Sequence, residues 1–392
     1  MTITLPIAPK RRGACPTLEA PMQTGDGLLA RLRLAGPGLT PAMLRQLAEA
    51  AAAFGNGTVE ITARGNLQMR GLIPEAVSPF ARAIRDLVAI ETGLVVEVPP
   101  LSGEDPLEFA DPRPLARAIK ALSAPYQSRL GPKVSVIVDG NGQIGLSRLK
   151  ADLRLVAVAP DRWLVLVAET LMGTTRRPED CAAIVLAALA ALGRDARASD
   201  LTFMDRALAG LVAPSAPVMQ PTSQPVGNFL LAQGNARGLA LPFGAIGWQA
   251  LAQLADQGQQ RGIGQFRLGP HHALIALGAP EALAETAVEL GFIASPYDPR
   301  LRISACIGSA GCASGQSAAR VDAAGLAAHM PRDIRLHVSG CAKGCAHPGP
   351  ADITLVGSRD GYGLVINGRA SDTPVARLRA DQIAAALAGG RG

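Results

Sequence analysis

Aromatic residues are scarce in this chain: two Trp, three Tyr and eight Phe make up 3% of its 392 residues. That excludes a stacking platform for single-stranded nucleic acid, which needs several π-faces in succession. No apolar run reaches the roughly 18 residues of a membrane-spanning helix. The longest, Cys181 to Leu192, is Ala-rich and flanked by charge, and reads as a core helix. A secretory signal is lacking too, because Lys10-Arg11-Arg12 follows the few apolar residues at the start instead of preceding them. The expectation is a cytoplasmic protein with neither a membrane nor a nucleic acid as partner. In that reducing setting its six cysteines are thiols or ligands, not disulfides.

Charge is also sparse. Charged residues amount to 18%, and 38 Lys and Arg against 32 Asp and Glu leave a net +6 spread along the chain. This describes an evenly solvated surface. An anionic small-molecule partner requires a localised basic pocket as well. With 48% hydrophobic residues, the length is enough for two to three domains with buried cores.

What the chain does contain is itself, twice. Shifted by 200 positions, the segment 134–167 aligns with 334–367 without a gap. Val138, Gly140, Ala151, Asp152, Leu155, Val156, Leu164 and Val165 meet Val338, Gly340, Ala351, Asp352, Leu355, Val356, Leu364 and Val365. The flanking segments repeat in the same order. Thr40-Pro41 predicts a helix start that Gly55 ends. Val59 and Ile61 alternate with polar neighbours, Arg64-Gly65-Asn66 turns, and Leu67 and Met69 return. A second helix is expected over roughly Pro74 to Thr92. The later half predicts a helix near Ile246–Gln259, a hairpin through Phe266–Ile275 and a helix near Glu281–Leu290.

The fold class expected is α+β, internally duplicated with pseudo-twofold symmetry. Ferredoxin-like half-domains span 13–98 and 226–298, and sheet-and-helix units span 99–205 and 299–392. A Pro-rich linker at 206–225 carries Pro214, Pro217, Pro221 and Pro225. A ligand site is expected at the junction of the halves.

Cys306 and Cys312 are separated by five residues, Cys341 and Cys345 by three. The equivalent turn of the first repeat, Asn141 to Gly145, has no cysteine. A shared element that gains thiols in one copy only is explained by a site better than by packing. Four thiolates hold zinc or an iron–sulfur cluster. Paired zinc ligands favour two to four intervening residues, so the five-residue gap leans towards the cluster, and zinc remains the alternative. Glycines in both loops let backbone amides approach cluster sulfurs. Cys181 reads as core, and Cys15 has no assigned role.

Cys306-x5-Cys312 with Cys341-x3-Cys345 resembles the cluster pattern of the sulfite and nitrite reductase family. Ile61-Thr-Ala-Arg64-Gly-Asn66-Leu-Gln68-Met-Arg70-Gly71 is similar to that family's polar hairpin. Within the superfamily the chain looks most like the precorrin-3B synthase branch. That likeness rests on Arg12-Gly13-Ala14-Cys15-Pro16, Pro21-Met22, Gly25-Asp26-Gly27-Leu28-Leu29, Glu104-Asp105-Pro106, Asp111-Pro112-Arg113-Pro114-Leu115 and Val138-Asp139-Gly140.

The resemblance implies a monooxygenase that hydroxylates precorrin-3A at C20 with lactone closure, in aerobic cobalamin biosynthesis. It implies a 4Fe-4S cluster on Cys306, Cys312, Cys341 and Cys345, a mononuclear non-haem iron, and NADH acting through a reductase. The partners expected are an anionic tetrapyrrole, O2 and that reductase, with the chain a monomer. Arg64 and Lys133 are the catalytic candidates. Arg64, Asn66, Gln68 and Arg70 are the substrate-binding ones, a guanidinium fork being suited to the carboxylates on a precorrin's rim. His271, His272, His337 and His347 are the imidazoles available to a second iron, and Lys343 softens the charge of the cluster loop. Departures from the reductases are a missing Asn-Arg-Asn-like motif between 99 and 125, and a single Lys133 after Gly131-Pro132 where the reductases carry a lysine pair. A sirohaem-dependent sulfite or nitrite reductase is the alternative function, and a zinc-stabilised scaffold a third.

Overall fold

The computed structural model describes residues 16–36, 38–202, 208, 210–213, 223–278 and 283–389. Cys15, the leader motif up to Ala14, Glu281 and most of the 206–225 linker, including Pro214, Pro217 and Pro221, lie outside the described residues. The described residues form eight helices, and nineteen strands arranged in four sheets.

The first unit runs β1 (Met22–Thr24), β2 (Gly27–Leu32), α1 (Pro41–Phe54), β3 (Thr58–Ile61), β4 (Leu67–Leu72) and α2 (Val77–Leu87). Next come β5 (Val95–Glu97), α3 (Arg113–Ser123), β6 (Ser135–Asp139), β7 (Leu153–Ala159), β8 (Arg162–Val167), β9 (Thr170–Thr175) and α4 (Pro178–Leu192). The second half begins with β10 (Gly227–Leu230), β11 (Asn235–Ala240), β12 (Ala245–Gly247), α5 (Trp248–Gln260), β13 (Gln265–Gly269), β14 (Ala273–Gly278) and α6 (Ala284–Glu289). It closes with β15 (Ile303–Ala305), α7 (Ala319–Leu326), β16 (Leu336–Ser339), β17 (Ala351–Ser358), β18 (Gly361–Gly368), β19 (Ala376–Leu378) and α8 (Ala380–Gly389).

Local chemistry places these boundaries. The Thr40 hydroxyl accepts from Met43 N–H at 3.2 Å and Pro41 opens α1, while the Gly55 N–H closes it on the Ala51 carbonyl. The helix after β4 is shorter than its pattern predicts. Pro74–Ala76 forms a 3-10 turn and α2 stops at Leu87.

The two ferredoxin-like halves exchange edges. In sheet order β1-β2-β4-β3-β12, the last strand comes from the second half and pairs antiparallel with β3. Reciprocally, Leu39, just before α1, exchanges two 2.7 Å backbone hydrogen bonds with Phe266 in β13. Both halves close over one core in which Leu44, Leu47, Phe80, Leu254, Phe266 and Phe292 are buried.

The other two sheets, β5-β6-β7-β8-β9 and β15-β16-β17-β18-β19, share one topology. In each, two parallel strand pairs precede antiparallel ones. Val138 pairs with Leu155 and, 200 residues later, Val338 with Leu355; the next ladder is offset by one residue, Leu155 meeting Val165 and Leu355 meeting Leu364. The repeated Asp plays the same part in both copies, since Asp152 accepts the Ser135 N–H at 3.0 Å and Asp352 the Arg335 N–H at 2.8 Å. The repeated Gly likewise accepts a loop amide, Phe109 N–H onto Gly140 and Gln316 N–H onto Gly340, both at 2.8 Å.

Candidate active site

Two hairpin turns meet where the halves join. His271 N–H donates to the Ala63 carbonyl at 2.9 Å, and His272 Nδ1 lies 2.6 Å from the Ile61 carbonyl oxygen. A Cβ on Gly65, whose φ is +75°, would stand 3.0 Å from the Gly269 carbonyl oxygen, so this approach requires glycine. Opposite it, His271 and His272 hold φ of 54° and 69°, a left-handed conformation uncommon for residues other than glycine. Burial, with Arg148 adding repulsion, pushes His271 down to about 4, so its imidazole is neutral at pH 7.

The Arg64–Asn66 turn lines two adjoining cavities, of about 560 and 200 Å³. The larger has six cations on its wall, Arg31, Arg33, Arg64, Lys133, Arg194 and Arg197, against the carboxylates of Glu19 and Glu91. Its guanidinium groups are anchored by the protein. Arg64 pairs with Glu97 and donates to the Lys150 carbonyl. Arg31 donates to Gln68 Oε1 at 2.9 Å, Arg33 to the Gly93 carbonyl at 3.0 Å, and Arg197 grips Asp152 through two 2.9 Å bonds. Burial still raises the Glu97 carboxyl above its ordinary range, although Arg64 and Arg33 pull it down. The result is a rigid, positively biased wall suited to carboxylates.

Of the residues the sequence singles out, Arg64, Asn66 and Lys133 come together at this cavity. Gln68 and Arg70 line neither cavity. Their strand alternates, with Leu67 and Met69 in the core and Gln68 and Arg70 on the opposite face. That face is buried. Gln68 donates to Glu60 at 2.7 Å and accepts from Arg31. Arg70, 6% exposed, forms a two-bond pair with Asp26 and donates to the Gly311 carbonyl at 3.0 Å.

Sequence reasoning missed Arg31, Arg33, Arg194 and Arg197. The first two alternate with Leu32 and Leu34, which the period-two pattern could have revealed. Arg194 and Arg197 follow α4 and reach the cavity only through tertiary folding.

Cys306, Cys312, Cys341 and Cys345 lie in loops that leave one edge of the β15-β16-β17-β18-β19 sheet. β15 and β16 are parallel, and Cys306 follows one strand while Cys341 lies two residues past the other. Both loops therefore begin at the carboxyl ends of neighbouring strands, the usual place for ligand sites in such sheets. The loops are stitched together: Gly340 N–H lies 3.1 Å from Cys306 Sγ, and Lys343 donates to Ser314 at 2.7 Å. Gly308 and Gly344 have φ of 64° and 59°. A Cβ on Gly315 would fall 2.4 Å from the Gly308 carbonyl carbon. Cys306, Cys312 and Cys341 are half-buried thiols and Cys345 is exposed. This donor set, thiols on glycine-rich loops with an amide already directed at one sulfur, fits an iron–sulfur cluster.

Among the described residues, no three His, Cys, Asp or Glu side chains, the four cysteines included, are gathered as a metal-ion site. His337 on β16 is fully buried, and His347 stacks edge-on with ring centroids 5.7 Å apart. Burial pushes His337 down to about 4. No helix among the described residues is long and apolar enough to cross a membrane.

Residues 20–87 match the family model of the nitrite/sulfite reductase ferredoxin-like half domain. The chain is 41% identical to a precorrin-3B synthase of Sinorhizobium sp, over 97% of this chain and 88% of that protein. It is 24% identical to a ferredoxin–nitrite reductase of Synechococcus elongatus, over 86% of this chain and 77% of that one. Its fold matches the structure of the Mycobacterium tuberculosis NirA protein with a TM-score of 0.68, at 22% identity, covering 91% of this chain and 79% of that one. The doubled α+β architecture and the full-length similarity agree, and the chain belongs to the precorrin-3B synthase family within the sulfite and nitrite reductase superfamily.

Proposed function

We propose that the protein converts precorrin-3A to precorrin-3B by O2- and NADH-dependent hydroxylation at C20 with γ-lactone formation, in aerobic cobalamin biosynthesis. The observation that carries this reading is the 41% identity to a precorrin-3B synthase along 97% of the chain. One atom of O2 enters the substrate and the other leaves as water. The two electrons required come from NADH through a separate reductase.

Arg64, Asn66 and Lys133 bind the carboxylated rim of the tetrapyrrole, with Arg31, Arg33, Arg194 and Arg197 supplying positive potential around it. Because their heads are held by protein acceptors, little side-chain entropy is lost when substrate docks. Cys306, Cys312, Cys341 and Cys345 would hold a 4Fe-4S cluster, which supplies one-electron transfer when bound. A mononuclear non-haem iron belongs to the same proposal, but the described residues do not form a three-ligand site for it and we assign it none.

A sirohaem-dependent sulfite or nitrite reductase is the second reading, favoured by the more distant nitrite reductase similarity. Sulfite reduction calls for a dense, uncompensated cationic cage. Here Lys133 follows Gly131-Pro132 without a second lysine, and no Asn-Arg-Asn-like motif lies between 99 and 125. The test is turnover of anaerobically purified protein with precorrin-3A, NADH, a reductase and 18O2. Product carrying one labelled oxygen is expected. Unlabelled substrate returned intact, with sirohaem absorption in protein from a sirohaem-making host, refutes the proposal in favour of the reductase.

A further inference from the structure

The turn between β1 and β2 rests on the loop that carries Cys312. Gly25 N–H donates to the Gly311 carbonyl at 3.1 Å. A Cβ on Gly25 would lie 2.6 Å from Ala313 N and 2.9 Å from the Cys312 carbonyl carbon, so nothing larger than glycine permits this contact. From the other side a Cβ on Gly311 would meet Asp26 Oδ2 at 2.8 Å.

Arg70 locks the arrangement. Its Nε and Nη2 each donate to Asp26 at 2.9 Å, and Nη2 also donates to the Gly311 carbonyl. That single carbonyl, one residue before Cys312, thus accepts from two donors on a different domain. Glu60 flanks the network, 3.6 Å from Arg70 Nη1, and accepts from Arg320 on α7 at 2.6 Å. The cysteine loop is therefore held from outside its own sheet at both its centre and its exit. A charge-assisted donor to the carbonyl at Gly311 fixes the peptide that orients Cys312.

We infer that the Asp26–Arg70 pair, seated on Gly25, positions the Cys312 thiolate to hold the iron–sulfur cluster. Arg70 is a positioning residue that acts through the Gly311 peptide, not a ligand for substrate. This inference rests on the proposed cluster ligation by the four cysteines. Partners in the outer shell of a metal site commonly change affinity by about 10- to 100-fold when altered.

The experiment compares wild type with Gly25→Ala, Asp26→Asn and Arg70→Lys, all purified anaerobically as full-length protein. Arg70→Lys keeps the charge and loses the fork. Iron and acid-labile sulfide per chain, the EPR signal of the reduced protein and the rate of iron loss to a chelator are measured. Melting of the metal-free forms serves as the structural control. Expected are at least about tenfold faster iron loss and an altered EPR signal in Asp26→Asn and Arg70→Lys, with metal-free melting like wild type. Wild-type iron retention and EPR in these two variants overturn the inference, as does a loss of metal-free stability that accounts for the faster release. Gly25→Ala should lose the most iron; if it does not fold, the other two variants decide. Wild type without iron or sulfide overturns the ligand assignment itself, a different failure from that of the strut.

Discussion

Glu108 couples stability to pH in the copy that lacks the four paired cysteines. Its carboxyl is pushed up to about 7, first by burial and then by Asp111 and Asp105. The Gly103 N–H, donating to Oε1 at 2.7 Å, works the other way without prevailing. Below pH 4.5 the group is protonated in both the folded and unfolded chain. As pH rises from 4.5 to about 7 the unfolded chain ionises first, so stability is lost across that window, and above it the loss is complete. At ~1.36 kcal/mol per pKa unit the ceiling is ~3.4 kcal/mol. Glu108 is half-buried, so solvent screening reduces this to about 1–2 kcal/mol. Glu108→Gln keeps the acceptor for Gly103 and removes the charge. Urea unfolding of the metal-free protein at pH 4 and pH 8 should show the variant about 1–2 kcal/mol more stable at pH 8 and nearly equal to wild type at pH 4. An equal gain at both pH values, or a loss at pH 8, refutes the reasoning.

Arg64→Ala should raise KM for the tetrapyrrole by roughly 10-fold or more while leaving iron content unchanged, because it removes one charge-assisted carboxylate contact. Steady-state kinetics with parallel iron analysis checks this, and wild-type KM should rise with salt as the cationic wall is screened. Asp105→Ala removes acceptors for the Gln143 N–H at 2.6 Å, Gln143 Nε2 at 3.0 Å and the Leu107 N–H at 2.9 Å. A stability loss of about 2–4 kcal/mol in urea is expected, and a loss under about 0.5 kcal/mol would show that the loops do not depend on it.

The duplication was legible because its repeated residues are tied to backbone. Asp152 caps the amide that starts β6 and Asp352 the one just before β16, and Gly140 and Gly340 accept the returning loop. These are local demands of one supersecondary unit, so they leave the same residue types at the same spacing. The α1 boundaries were legible for the same reason, in Thr40-Pro41 and Gly55. The polar hairpin was only half legible. Arg64 and Arg70 look alike in sequence, both at even-numbered positions of one polar hairpin, the first in its turn and the second on β4. What separates them is Glu97 beside one and Asp26 with Gly311 beside the other, and neither partner is local. The exchanged edge strand β12 is three residues long and carries no pattern of its own; its pairing with β3 depends on the other half being folded.

The two copies solve one geometric problem with different chemistry. In each, the loops after two parallel strands must be held against one another at the sheet edge. The first copy uses carboxylates. Asp105 bonds across to the Gln143 amide, and Asp139 accepts the Asn141 and Leu146 N–H groups at 2.8 Å each. Asp139 is buried, which raises its carboxyl above the ordinary range, so this fastening carries an electrostatic cost. In the second copy the corresponding strands end at Ala305 and Ser339, and the amide of Gly340 approaches the Cys306 thiol instead. Thiols are weak acceptors, so that fastening contributes less than a carboxylate would until the sulfurs are ionised and bound. The strut of Asp26 and Arg70 from the neighbouring domain meets the same loop further on, at the Gly311 carbonyl. Under the proposed cluster ligation, a loop that is to hold a large inorganic group cannot also be closed by its own side chains, and support from outside the sheet leaves its interior available.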